Sequence, residues 1–91
     1  MRLDLFLKLS RLCARRSLAQ KLCDAGLVWL NGRPAKPAHA VKAGDLITVR
    51  RPDHETEVRV LVVPDARSIS KRDAKNLIEV LAEKWSEPLG I

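Results

Sequence analysis

The arginine pair Arg15-Arg16 is the feature of this sequence whose chemistry and position most clearly suggest a binding site. The pair directly precedes Ser17, from which a helical pattern of apolar residues runs to Gly26. The first backbone N–H groups of a helix have no partner within it, and they favour an anion, as does the positive end of the helix dipole. Two guanidiniums beside such an end predict a phosphate clamp.

Positive charge is concentrated in the first part of the chain. Residues 1–51 hold eleven Lys or Arg against three Asp or Glu, whereas residues 52–91 hold six against eight. With a net charge of +6 and a pI near 9.9, this distribution suits a polyanion bound at one end of the molecule. Nucleic acid is the commonest partner of that kind. A basic surface that serves only solubility is the alternative reading of the same charges.

Few other residues could support catalysis or metal binding. Cys13 and Cys23 stand ten residues apart, with His39 and His54 far downstream, which matches neither a zinc site nor a disulfide framework. Both Gly-rich phosphate loops are missing, and no nucleophile stands near a histidine. We therefore expect no enzyme, no metal, no cofactor, and two buried thiols.

The aromatic residues are few. The chain contains one Phe, two Trp and no Tyr. Domains that read single-stranded bases need exposed rings on a sheet, so this composition argues against base stacking. We expect a rigid basic face that recognises the phosphates and the shape of a folded nucleic acid.

Two helices are predicted to carry most of the basic residues. Apolar residues indicate a first helix over 2–14 that is mostly buried, with one thin and mainly basic polar stripe. On that stripe Asp4 would form an ion pair with Lys8. The second helix would begin near Ser17, a good N-cap residue, and end at Gly26. Because only a few residues separate the two helices, they must pack as a tight pair.

From Leu27 onward the pattern changes to that of strands. The dipeptide Asn31-Gly32 predicts a tight hairpin turn after a first short strand, and prolines restrict the following segment to an irregular edge strand. Further strands are predicted over 46–50 and 58–62, separated by a polar loop at 51–56. The predicted class is α+β, with a two-helix unit followed by a small antiparallel sheet.

The last part of the chain is predicted to be helical. Ser70 and Asp73 resemble a capping box, and apolar residues recur at spacings of three and four over 71–84. We expect this C-terminal helix to pack on the sheet. The expected organisation is an RNA-binding domain over 1–63 and a C-terminal extension over 64–91. No apolar run is long enough for a membrane span and no signal peptide opens the chain, so a cytoplasmic protein is expected.

These residues together resemble the RNA-binding domain first described in small-subunit ribosomal protein four. The resemblance covers residues 2–50 and rests on Arg2-Leu3-Asp4, Phe6-Leu7, Arg11, Arg15-Arg16-Ser17, Ala19, Gly26, Val28, Asn31-Gly32, Val41, Gly44-Asp45 and Ile47. The combination is specific, although each piece alone would be weak. The short, free-standing form is similar to the RqcP family and to the ribosome-associated heat-shock protein of fifteen kilodaltons.

The resemblance implies an alpha-L type RNA-binding motif that acts on large ribosomal subunits stalled with a nascent chain attached to tRNA. The implied partners are large-subunit ribosomal RNA, peptidyl-tRNA and, in the RqcP branch, a protein that synthesises a C-terminal tail; we expect a monomer. The RNA face would be the helix pair with the following hairpin, and the predicted contacts are Arg2, Lys8, Arg11, Arg15, Arg16, Lys21, Asn31, Gly32, Arg33 and Lys36. Leu5 departs from the family pattern, so it is not counted as a contact.

Three other functions are compatible with parts of the sequence. The helix pair could be a helix-turn-helix that reads DNA, although Gln20, Lys21 and Asp24 are a poor outward set for base edges. The chain could instead serve an RNA-modifying enzyme as its binding module. A protein-interaction domain that uses the face around Trp85 is the third alternative.

Overall fold

The computed structural model describes residues 1–65 and 69–85. Two helices come first, and strands follow with a third, short helix before the last of them. The elements in chain order are α1 (Leu3–Leu9), α2 (Arg16–Asp24), β1 (Val28–Leu30), β2 (Arg33–Pro34), β3 (Leu46–Arg50), β4 (His54–Val60), α3 (Lys71–Ala74) and β5 (Ile78–Trp85). The predicted α+β class and the helix pair before the sheet are confirmed.

The first helix is shorter than predicted. It ends at Leu9 rather than continuing to residue 14, because Arg11 adopts a φ of 65°, in the left-handed region that an α-helix cannot use. Leu12 and Cys13 still face inward, but they do so from the loop that joins α1 to α2. The apolar spacing could not distinguish an inward-facing loop from another helical turn.

The second helix starts one residue before the predicted position. Arg15 is its N-cap residue, with an extended backbone and no capping side chain, so the predicted Ser17 cap is wrong. The helix ends as expected, since Gly26 follows with a φ of 75°. That left-handed conformation is the one in which glycine commonly closes a helix.

The five strands form one antiparallel sheet in the order β2-β1-β3-β4-β5. Asn31 and Gly32 join β1 to β2 with φ values of 53° and 82°, and positive φ at both positions is what a type I′ hairpin turn requires. Pro34 lies in the edge strand β2, as predicted. The strand β4 begins at His54, inside the segment predicted to be a polar loop.

The predicted C-terminal helix over 71–84 is wrong. Ser70 caps a helix as expected, accepting a hydrogen bond from the Asp73 backbone N–H at 3.1 Å, but that helix is only the four residues of α3. The chain then forms β5, which pairs with β4 along its whole length, with a register irregularity at Glu57/Val58. Pairing satisfies the backbone groups along that side of β4, and this tertiary gain overrides helical periodicity.

The helices and the sheet share one apolar core. Its most deeply buried side chains are Leu3, Phe6, Leu7, Ala19, Val28, Ile47, Val49, Val58 and Val60. The N-terminus is fastened beside this core, because the Leu3 N–H donates to the His39 carbonyl at 2.8 Å and the Val41 N–H donates to the Met1 carbonyl at 2.9 Å. This attachment fixes the start of α1 relative to the sheet.

None of the helices in the described part of the chain has the length and apolar character needed to cross a bilayer. The extension expected over 64–91 lies partly outside the described residues.

Candidate nucleic-acid interface

A buried carboxylate organises the basic residues at the junction of α1 and α2. The Asp4 side chain is fully buried, and it accepts hydrogen bonds from Arg2, from Arg16, from the Gln20 side chain at 2.8 Å and from the Leu5 backbone N–H at 2.8 Å. The bonds from Arg2 are both 3.2 Å, and the bond from Arg16 is 3.3 Å. One carboxylate therefore links the chain start, α1 and α2.

Hydrogen bonding keeps Asp4 ionised. Burial raises the pKa of the carboxyl, but the hydrogen bonds from Gln20, Arg16 and Arg2 outweigh burial and hold that pKa below its ordinary value. The two arginines remain accessible, since 51% of the Arg2 side chain and 42% of the Arg16 side chain are exposed. Each guanidinium is thus oriented by Asp4 on a side chain that is about half exposed.

The expected ion pair between Asp4 and Lys8 is absent. Asp4 lies in the core rather than on a polar stripe of α1, and its ion pairs are with Arg2 and Arg16. Lys8 is exposed, and it lines a groove of about 380 Å³ with Arg11 and the loop residues after it. The structure therefore brings Lys8 and Arg11 together at the end of α1.

The loop after α1 also meets the C-terminal part of the chain. Arg11 lines a second groove, of about 320 Å³, with Lys71 and Lys75 at its rim and Ala74 and Ile78 among its apolar residues. No sequence pattern predicts that Lys71 or Lys75 lies beside Arg11, because their proximity depends on where the fold places α3 and β5 relative to the helix pair. The cationic surface at this loop is consequently larger than the predicted site.

Arg15 and Lys21 are exposed, and their side chains make no hydrogen bond or ion pair with any residue in 1–65 or 69–85. Arg15 is next to the partly exposed Arg16 at the first turn of α2, so two guanidiniums do flank that turn. They differ in role, however, because only Arg16 is held by an acidic side chain. The prediction of a phosphate clamp treats the two arginines as equivalent. They are not equivalent in the structure, because Asp4 binds only Arg16 of the two.

The β1–β2 hairpin carries the remaining predicted residues. The Asn31 side chain accepts a hydrogen bond from the Leu46 N–H at 2.9 Å and donates one to Asp45 at 3.2 Å, which ties the turn to β3. Arg33 and Lys36 are exposed on the second arm and beyond it. Asn31 thus shapes the hairpin from which these cations project.

Both cysteines are free and buried, as predicted. Burial, with the nearby Cys13, Asp4 and Asp24, raises the pKa of Cys23 to about 11. Burial also raises the pKa of Cys13, although the Arg51 guanidinium opposes the rise. Thiols held in this way pack as small apolar side chains.

Sequence reasoning missed two contributors to the site. Asp4 was assigned to the solvent-facing stripe, and Gln20 was treated as an outward residue of α2, whereas their side chains are joined at 2.8 Å. The signal available for Asp4 was the Arg2-Leu3-Asp4 opening, because an acidic residue on an otherwise apolar helix start needs cationic partners.

Comparison with known proteins agrees with this architecture. The S4 domain family matches residues 1–47. A Bacillus subtilis protein named RQC P-site tRNA stabilizing factor is 42% identical over 84 residues, covering 92% of this chain and 95% of the relative. A heat shock protein 15 homolog of Aeromonas salmonicida is 46% identical over 66 residues, covering 72% of this chain and 50% of that protein.

A solved structure extends the similarity to the fold over most of the chain. Vibrio cholerae heat shock protein 15, described as trimeric, superposes with a TM-score of 0.80 at 34% identity and covers 90% of this chain and 82% of its own. The sequence resemblance to a ribosomal-type RNA-binding domain is thereby confirmed, as is the expectation of a non-enzymatic factor. The chain belongs to the S4-domain family and, within it, to the group of RQC P-site tRNA stabilizing factors.

Proposed function

We propose that this protein binds large-subunit ribosomal RNA and peptidyl-tRNA, and steadies the tRNA on obstructed large ribosomal subunits during ribosome-associated quality control. The names of its relatives identify a tRNA in the P site as the partner. The excess of Lys and Arg in residues 1–51 accounts for affinity toward an RNA backbone. In this role the protein acts in the cytoplasm, without catalysis.

The observation that carries this proposal is the pair of guanidiniums on Asp4. A flexible surface arginine must lose rotamer freedom when it binds a phosphate, and that loss weakens binding. Arg2 and Arg16 are already ordered by a carboxylate that is fully buried, and about half of each side chain is exposed. Pre-oriented donors at a partly open position suit the phosphates of a structured RNA.

The proposed contact surface continues from these two residues along the loop and the hairpin. Lys8 and Arg11 share one groove, and Arg15 stands beside Arg16 at the start of α2. We assign RNA contact to Arg2, Lys8, Arg11, Arg15, Arg16, Lys21, Arg33 and Lys36, with Asn31 and Gly32 shaping the hairpin. This surface lies within residues 1–63, which we propose as the RNA-binding unit.

The geometry disfavours a DNA-reading helix-turn-helix. Gln20, one of three outward residues that α2 could offer to base edges, donates its side-chain N–H to Asp4 at 2.8 Å. A recognition helix needs such side chains free to enter the major groove. We therefore propose a partner RNA, with a tail-synthesising protein as a further partner on the same subunit and a monomer as the active form.

Gradient sedimentation of tagged protein from cells tests the proposed function. The wild type should travel with large subunits, and the bound fraction should contain peptidyl-tRNA. A double Arg15→Ala, Arg16→Ala variant should move to the top of the gradient. Arg59→Ala is the matched control, because it removes an exposed arginine from β4. In the sheet, β3 separates β4 from the β1–β2 hairpin.

Two outcomes would contradict the proposal. If the double variant sediments with large subunits as the wild type does, these arginines do not carry ribosome binding. If the tagged protein instead recovers a catalytic subunit and no ribosomal RNA, the chain serves an RNA-modifying enzyme.

A further inference from the structure

A cavity beside the end of β5 is not part of the proposed contact surface. It has a volume of about 510 Å³, and Trp85, His54, Arg50, Arg51, Lys84 and Leu27 are among its lining residues. A volume of this size is within the range of pockets that hold small organic ligands. The residues come from the β3–β4 turn, the end of β5 and the segment after α2, so only the folded chain assembles them.

The most unusual group in the cavity is the Trp85 indole. Trp85 is 63% exposed, which is more than any other large apolar residue in the described part of the molecule. One face of the indole stacks on the His54 imidazole, with ring centroids 4.1 Å apart and an interplanar angle of 16°. His54 fixes the orientation of the indole, and the opposite face has no stacking partner among residues 1–65 and 69–85.

The charges around the stacked rings are of both signs. Arg50, Arg51 and Lys84 line the cavity with Glu55, whose carboxylate is 3.0 Å from the Arg50 guanidinium. Two further carboxylates contact the His54 imidazole, with Asp53 at 2.8 Å and Glu83 at 3.9 Å. Arg51 and Lys84 are the cavity cations that form no ion pair within residues 1–65 and 69–85. An oriented aromatic face with cations beside it matches a nucleobase joined to its phosphate.

The cavity is joined to the basic loop of the proposed RNA surface. The Arg51 guanidinium donates a hydrogen bond to the Leu12 carbonyl, in the loop that carries Arg11 and Arg15. This hydrogen bond places a lining residue of the cavity in contact with the loop at which RNA binding is proposed. This connection favours RNA over a ligand unrelated to the proposed function.

We infer that the Trp85–His54 stack is a binding site for one unpaired RNA base, which stacks on the open face of the indole while its phosphate lies near Arg51 and Lys84. The inference rests on the proposed RNA-binding function and adds a base contact to its phosphate contacts. It revises the expectation from composition that this chain stacks no bases, because a single oriented ring is enough for one.

A pair of RNA probes tests the site directly. Each is the same hairpin with a short single-stranded 3′ tail, made of adenosines in one probe and of abasic nucleotides in the other, so that phosphates and sugars are identical. The wild type should bind the adenosine tail more tightly. Trp85→Ala should remove this preference, which corresponds to about 5- to 150-fold in Kd, and should leave the affinity for the abasic tail unchanged. Trp85→Phe should keep part of the preference.

Leu81→Ala is the control, since Leu81 is an exposed apolar residue of the same strand and does not line the cavity. A fluorescence measurement tests the same contact with the Trp85 side chain intact, so its result does not depend on whether Trp85→Ala folds. In a Trp29→Phe protein, where Trp85 is the only indole, the adenosine tail should quench the emission and the abasic tail should not.

Equal binding of both tails by the wild type would overturn the inference, as would a preference that survives Trp85→Ala. Emission that the bound adenosine tail leaves unchanged would overturn it as well. These results differ from failure of the proposed function, in which the wild type would bind neither hairpin.

Discussion

The Arg16 guanidinium lies against the buried Asp4 carboxylate, twelve residues earlier in the chain, with Nε 3.2 Å from Oδ2 and Nη2 3.3 Å from Oδ1. This contact joins the first turn of α2 to α1. Arg16 is therefore part of the fold as well as part of the proposed RNA surface. Arg15, its neighbour in sequence, makes no such contact in the described part of the protein.

Asp4→Asn should lower both stability and RNA affinity. The substitution removes a buried charge that accepts hydrogen bonds from Arg2, Arg16 and Gln20. Because the arginines can be hydrated, we expect a loss of about 1–3 kcal/mol in the free energy of unfolding, measured by urea titration. RNA affinity should fall several-fold, since the two guanidiniums lose their orientation. Asp24→Asn, which removes an exposed carboxylate of α2, is the control and should change neither quantity.

Acid should destabilise the protein partly through Asp4. Its folded-state pKa lies below the ordinary value of 3.8, so the ionised group stabilises the fold above that value. This contribution is lost as the pH falls through the lower, folded-state pKa. The free energy of unfolding should therefore fall less steeply in Asp4→Asn than in the wild type below about pH 4. If the free energy of unfolding changes with pH in the same way in the wild type and in Asp4→Asn over that window, folding does not lower the pKa of Asp4.

Arginine substitutions should separate RNA binding from folding. Arg15→Ala should weaken binding to an RNA hairpin by about 1–3 kcal/mol, the range for a charge-assisted hydrogen bond, with unchanged thermal unfolding. Arg16→Ala should weaken binding and also lower the melting temperature, because it removes a partner of Asp4. Arg16→Lys should restore only part of each effect, since an ammonium lacks the planar fork. Unchanged RNA affinity in the Arg15→Ala, Arg16→Ala double variant would show that neither arginine contributes to RNA binding.

Local signals predicted the end of α2 and the β1–β2 turn well, although they missed the end of α1 and the cap of α2. Gly26 and Asn31-Gly32 are local signals, since each adopts a left-handed backbone conformation that few other residues adopt. As expected, α2 ends before Gly26 and β1 ends before Asn31. The largest error, at the C-terminal end, came from a long-range contact. Residues 78–85 have apolar spacings compatible with a helix, but their pairing with β4 makes them a strand. The sequence alone does not show that β4 offers an unpaired edge.

The site was predictable in its residue types but not in its connections. The excess of Lys and Arg in residues 1–51 pointed to the region in which Asp4 holds Arg2 and Arg16. The helical spacing of four assigned Asp4 to Lys8, whereas the structure joins it to Arg16 and Gln20 across the helix pair. Such contacts depend on the angle at which α1 and α2 pack, which no local spacing encodes.

The dependence of RNA affinity on salt should report the number of phosphate contacts. If about four or five form, the logarithm of the association constant should fall with the logarithm of salt concentration at a slope of roughly −3 to −4.5. Arg15→Ala should reduce the magnitude of that slope by about 1. Hairpins with the same shape and a scrambled paired stem should bind nearly as well as the original. A flat salt response, or strong dependence on the stem sequence, would contradict phosphate-dominated binding.

Substitutions of Asn31 should separate its backbone role from its side-chain role. Asn31 has a φ of 53°, and its side chain bonds the Leu46 N–H at 2.9 Å and Asp45 at 3.2 Å. Asn31→Gly keeps the left-handed backbone but removes both side-chain bonds, so we expect the free energy of unfolding to fall by about 1–2 kcal/mol. Asn31→Ala loses the same bonds and adds about 1–2 kcal/mol of left-handed strain, and should be the less stable variant in urea. Equal stability of the two variants would show that the turn relaxes to another conformation, and in that case the positions of Arg33 and Lys36, and with them RNA affinity, should change as well.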